Sequence, residues 1–92
     1  MLKDSQNNWF VYILSCADDT LYTGITVDLE RRLAEHNDDD KLGAKYTRAR
    51  RPVYLVYKEV CESKSMASKR ECEIKKLSRS GKIKMIEQSN VK

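Results

Sequence analysis

YILSCADDTLYTGITVDLERRLAEH, residues 12–36, is the stretch whose reading decides the fold. Its first residues continue the aromatic and β-branched run WFVYIL (Trp9 to Leu14), a short strand with both faces at least partly covered. Cys16 to Thr20 forms a turn, with Asp18 and Asp19 supplying the short polar side chains a hairpin favours. TLYTGIT, Thr20 to Thr26, returns as a second strand. A turn centred on Ala17 pairs Tyr12 with Tyr22 and sets both phenols on one face, because side chains alternate along a strand. Two readings fit that pair: ordinary cross-strand packing, or a shared reactive surface. Gly24, two residues on, falls on the same face and leaves room for a close approach.

The period then changes. Asp28 to Asn37 reads as a helix with Asp28 at the N-cap and Glu30 placed to favour the helix dipole. Leu29 and Leu33 mark the buried side, and the same i, i+3, i+4, i+7 series puts Arg32 and His36 in slots an amphipathic helix normally fills with apolar residues. Such residues need partners or a cleft, since burying them unpaired is costly. A satisfied boundary histidine and an arginine lying over the core rim also fit the pattern. Arg31 and Glu35 read as a solvated i, i+4 pair.

Beyond this helix, Asn37 to Arg51 is polar and then basic, a loop with about one helical turn, in which Lys45, Arg48, Arg50 and Arg51 are candidates for phosphate contacts. Pro52 closes it. VYLVYKEV, Val53 to Val60, is the third strand, expected against helices on one side and the hairpin on the other. Ser63 caps a helix running to about Ser78, with Met66, Ala67, Ile74 and Leu77 as its apolar face and Arg70 near the middle of it. Glu71 and Glu73 flank Arg70, and periodicity does not choose which carboxylate faces the tyrosines. A break is expected at Ser80-Gly81, then a short terminal helix around Ile83 and Ile86. The expected organisation is an N-terminal extension over 1–8, a single domain over 9–87 and a tail over 88–92, with no internal repeat.

Composition narrows the function classes. A chain of 92 residues with 40% hydrophobic and 35% charged residues forms one domain with a small core. No run reaches the roughly 18 apolar residues of a membrane span, and the N-terminus carries no secretory pattern, so a cytoplasmic protein is expected. Cys16, Cys61 and Cys72 are odd in number and widely spaced, which argues for reduced thiols; with one histidine and no paired cysteines, a zinc site is not expected. The net charge of +4 suits a polyanionic partner, and a second basic cluster lies at Lys75, Lys76, Arg79, Lys82 and Lys84.

Phe10-Val11-Tyr12, then Tyr22-Thr23-Gly24 ten residues on, Arg32 eight after the glycine and His36 four later together resemble the GIY-YIG nuclease superfamily. Gly43-Ala44-Lys45-Tyr46-Thr47-Arg48 is similar to the stretch typical of its small stand-alone bacterial members, and the likeness covers about residues 9–87. The resemblance implies an α+β fold, a three-stranded antiparallel sheet flanked by helices, and cleavage of DNA phosphodiester bonds with one Mg²⁺ or Mn²⁺ ion. It implies Tyr12, Tyr22, Arg32 and His36 as catalytic residues, Gly24 as a structural residue of the site, and Glu71, in preference to Glu73, as the metal ligand. Branched or single-stranded DNA is within the implied substrates. The sequence also departs from the pattern: Phe10 stands for glycine, Thr23 for isoleucine, and the window Ile83 to Ile86 lacks an asparagine that many active members carry. The second reading is therefore a catalytically inactive nucleic-acid-binding module on the same fold.

Overall fold

The computed structural model describes residues 8–89; residues 1–7 and 90–92, most of the expected extension and tail, lie outside the described residues. Strands β1 (Trp9–Ser15) and β2 (Leu21–Thr26) form the expected hairpin. Its register differs from the one expected: Tyr12 faces Gly24, and Tyr22 faces Leu14. The cause is the turn. Cys16 N–H donates to Thr20 O and Asp19 N–H to Cys16 O, both at 2.9 Å, while Asp19 takes φ 68° and Asp18 Oδ1 accepts from Thr20 Oγ1 at 2.6 Å. An aspartate tolerates the left-handed conformation that closes such a loop, so the turn centres on Asp18 and not on Ala17. The shift is an even one, so Tyr12, Tyr22 and Gly24 still share a face.

β3 (Tyr54–Cys61) pairs with β1 on its other side, all antiparallel, in the order β2-β1-β3. The central strand buries Val11 to Leu14 on both faces. On one face Val11 and Ile13 pack with Ala67 and Ile74; on the other, Tyr12 and Leu14 meet Leu29, Leu33 and Val53. The sheet is thus sandwiched between helix layers, α1 (Leu29–Asp38) and α2 (Lys45–Arg48) on the Tyr12 side, α3 (Lys64–Lys75) and α4 (Arg79–Ser89) on the Val11 side. β3 is less covered than expected: as an edge strand it leaves Tyr54 63% and Val60 58% exposed.

α3 also departs from expectation. It ends at Lys75, its buried residues are Ala67 and Ile74, and Met66 and Leu77 are exposed, while Arg70 reaches across to Glu59 of β3 at 3.0 Å. The break falls at Leu77-Ser78, before Ser80-Gly81, because Ser78 Oγ accepts from Gly81 N–H and so starts α4 early. Of the thiols, Cys16 is buried and Cys61 half-buried, but Cys72 is exposed.

α1 begins as expected, with Asp28 Oδ1 accepting from Arg31 N–H at 3.1 Å. Its C-terminal carbonyls are taken up by the loop that follows. Arg51 Nε donates to His36 O and Nη2 to Asp39 O, and Asn37 exchanges two hydrogen bonds with the Val53 backbone. This clamp folds residues 39–52 back over α1 and brings α2 against the tyrosine face. Gly43 makes the fold-back possible: a Cβ there would lie 2.6 Å from Glu35 O and 2.7 Å from Asp39 O, both backbone atoms. Gly43→Ala is therefore expected to destabilise the protein by about 1–3 kcal/mol, read as a lower urea midpoint with an unchanged slope; an unchanged midpoint would refute the close approach.

Candidate active site

Tyr12 and His36 are brought together by the even-numbered face of β1 and the last turn of α1. Tyr12 Oη lies 2.8 Å from His36 Nε2, and His36 Nδ1 lies 2.7 Å from Thr47 Oγ1 of α2. All three side chains are buried, His36 and Thr47 fully and Tyr12 to within 2%. Burial, together with the nearby positive charges of Arg32 and Arg51, lowers the His36 pKa to about 4. Burial likewise raises the Tyr12 phenol to about 12, partly offset by Arg32, whose guanidinium favours the anion. Both shifts favour the uncharged forms, so phenol and imidazole are neutral at rest.

Tyr22 completes the cluster, its ring centroid 6.4 Å from that of Tyr12 and 5.2 Å from that of His36. Tyr46 of α2 stacks on it at 5.8 Å, and the Arg50 guanidinium caps Tyr46 at 3.9 Å. Gly24 is required by the phenol: a Cβ at that position would sit 2.5 Å from Tyr12 Oη. Any side chain there pushes the phenol off His36.

Arg32 lies at the edge of this group, Nη1 donating to Glu35 at 2.8 Å and to Leu42 O at 2.6 Å, and its charge bears on Tyr12. Glu71 stands on α3, in the opposite helix layer, and touches none of the cluster; its Oε2 pairs with Lys75 at 3.2 Å, but its negative charge is close enough to raise the Tyr12 pKa. Glu73 is turned to Arg70 at 3.2 Å. Among the described residues no three His, Cys, Asp or Glu side chains form a metal cage. A lone carboxylate suits a hard cation such as Mg²⁺, which keeps most of its waters and takes phosphate oxygens, and does not suit zinc. On that donor set Glu71 fits an Mg²⁺ ligand.

The four basic candidates divide. Lys45 and Arg48 are exposed on α2; Arg50 is shared between Asp18, at 2.9 Å, and the Tyr46 ring; Arg51 is committed to the end of α1 and Asp40. Three neighbours of the site escaped the sequence reading. Tyr46 and Thr47 lay within a stretch read as basic loop, and their alternation of inward and outward positions has no period over four residues. Lys58, exposed and paired with Tyr12 across β1 and β3, needed the strand order.

Comparison with known proteins places this geometry. The family model described as the GIY-YIG catalytic domain matches residues 8–84. A UPF0213 protein of Desulfotalea psychrophila is 58% identical over 81 residues, 88% of this chain and 73% of that protein. One from Syntrophus aciditrophicus is 56% identical over 80 residues, 87% of this chain and 91% of that protein. The solution NMR structure of a UPF0213 protein from Bacillus halodurans is similar at a TM-score of 0.57 and 43% identity, covering 88% of this chain and 84% of that one. That of an E. faecalis protein reaches 0.62 at 39% identity, covering 92% and 88%. No helix among the described residues is long and apolar enough to cross a membrane.

The buried neutral histidine has a thermodynamic signature. Its folded pKa lies below the unfolded value of 6.5, so the unfolded chain binds the extra proton between pH 6.5 and 4 and stability falls as pH drops through that window. The loss attributable to His36 is on the order of 3 kcal/mol. Urea titrations of the wild type and His36→Gln at pH 7 and pH 4.5 measure it: the wild type is expected to lose more stability on acidification than the variant, and equal losses would refute the assignment.

Proposed function

We propose, from the premise that this chain belongs to the GIY-YIG catalytic-domain family, that it is a divalent-metal-dependent endonuclease hydrolysing DNA phosphodiester bonds. The observation that carries this reading is the buried Tyr12–His36 hydrogen bond with the Arg32 guanidinium beside the same phenol. A phenol by itself is a poor base near neutral pH. One that hands its own proton to an adjacent neutral imidazole as it takes a proton from water avoids forming the disfavoured tyrosinate.

A water O–H bond breaks and its proton goes to Tyr12 Oη, which releases its own proton to His36 Nε2; the new hydroxide forms the P–O bond as the ester P–O bond opposite breaks. The leaving alkoxide takes a proton from solvent. His36, made a strong acid by burial and Arg32, returns the proton from Nε2 to Tyr12 Oη as the phenol gives its other proton to water in the opened cleft, which restores the resting pair. Arg32 sets a fixed positive charge against the phosphoryl oxygens. Glu71 would hold Mg²⁺ or Mn²⁺, which when bound supplies further positive charge to the phosphoryl group.

Tyr12 is 2% exposed and the recess formed by Tyr12, Leu14, Leu29, Arg32, Leu33 and Leu55 admits no water in the resting structure. Substrate arrival must therefore widen the gap between the sheet and the α1–α2 layer. The exposed cations Lys45, Arg48 and Lys58 border that side and suit a phosphate backbone, and single-stranded and branched DNA are the substrates to compare with duplex. The second reading, binding without cleavage, is favoured by the absence of asparagine from Ile83 to Ile86.

Supercoiled plasmid incubated in Mg²⁺ or Mn²⁺ separates the two. Nicking by the wild type is expected, with Arg32→Ala slower by about 100-fold or more and Glu71→Ala at background. Salt-dependent binding that survives Glu71→Ala, with wild-type nicking no faster than that variant, would replace the endonuclease by the binding module.

A further inference from the structure

Three hydrogens and three acceptors meet in the chain that runs from Tyr12 through His36 and Thr47 to the backbone. Tyr12 Oη lies 2.8 Å from His36 Nε2, and the neighbouring Arg32 guanidinium is a donor only and cannot take the phenol hydrogen. His36 Nδ1 faces Thr47 Oγ1 at 2.7 Å, and Thr47 Oγ1 donates to Ala44 O at 3.0 Å. With the neutral imidazole carrying its proton on Nδ1, every donor finds an acceptor: Tyr12 O–H on Nε2, Nδ1–H on Thr47 Oγ1, and Thr47 O–H on Ala44 O. With the proton on Nε2, that N–H points at the phenol oxygen, and the buried Tyr12 O–H is left with no acceptor among the described residues. Leaving such a donor unmade is disfavoured in a site that excludes water.

We infer that Thr47 is a positioning residue that fixes the His36 tautomer, presenting an unprotonated Nε2 to Tyr12 and so setting the direction of proton flow from water through Tyr12 to His36. The inference rests on the proposed reaction for its purpose, but the tautomer itself is a property of the resting protein. Thr47 needs a hydroxyl for this role because it must accept from Nδ1 and donate to Ala44 O at once, which no apolar isostere does. Its place in α2 matters as well. Lys45 and Arg48, the exposed cations suited to a phosphate backbone, lie within two residues of it on the same helix, so the element that meets substrate also holds the base.

The test reads the His36 ring nitrogens by ¹⁵N NMR in the full-length protein, which contains one histidine. The wild type is expected to show a protonated Nδ1 and an unprotonated Nε2; a protonated Nε2 overturns the inference whether or not the protein cleaves DNA. Thr47→Val should move the ring toward the Nε2–H form and lower kcat at least tenfold with KM for a DNA oligonucleotide unchanged, and Thr47→Ser should restore both. A Thr47→Val protein with the wild-type tautomer and kcat overturns the inference. Should Thr47→Val not fold, the wild-type spectrum and the Thr47→Ser comparison still decide it. Failure of the endonuclease reading looks different: no nicking, with the Nδ1–H tautomer in place.

Discussion

A phenol buried in a protein core has to complete a hydrogen bond, and Tyr12 completes one with His36 at 2.8 Å. Most of the architecture on that side of the sheet follows from this bond. Gly24 carries no side chain because the phenol occupies its space. α1 gives up an apolar residue at its most buried position to supply the imidazole, and Thr47 is fully buried to accept the second ring nitrogen. Polar groups are kept in a core only when their bonds are complete, and the described residues contain no buried side-chain nitrogen or oxygen without a partner.

The loop between α1 and β3 is the means by which distant residues complete the network. Asn37 and Arg51 bind its two ends to one another and to the C-terminus of α1, Gly43 lets it pass against backbone carbonyls, and Ala17 N–H takes Arg50 O at 2.9 Å to tie it to the hairpin turn. The same loop carries the exposed cations Lys45 and Arg48. In the proposed reaction, contact with an anionic backbone and alignment of His36 would fall to one segment.

Sequence legibility followed the range of each interaction. The hairpin, the Asp28 cap and the pairing of Arg31 with Glu35 depend on neighbours within a few residues, and all are found. That Arg32 and His36 fill near-core slots was visible in the helical period, and their burial agrees. The register differs from the sequence expectation because an aspartate in the left-handed conformation moves the turn by one residue, which the composition of Cys16 to Thr20 does not distinguish. The exposure of Tyr54 and Val60 depends on strand order, and the inward turn of Thr47 depends on a clamp between residues 37 and 53; neither leaves a local pattern. Family likeness alone prefers Glu71 to Glu73; in the structure Glu73 pairs with Arg70 and Glu71 with Lys75.

The central claim is that the Tyr12 hydroxyl takes part in the chemistry and does not serve only to fill the core. Single-turnover cleavage of DNA by Tyr12→Phe, with binding of the same DNA measured in Ca²⁺, tests it most directly, since phenylalanine keeps the ring against Gly24 and removes only the oxygen. The expected result is a cleavage rate lower by 100-fold or more, in the range of about 10²–10⁴ for losing a general base, with DNA affinity unchanged. A Tyr12→Phe protein that binds and cleaves at the wild-type rate would contradict the account.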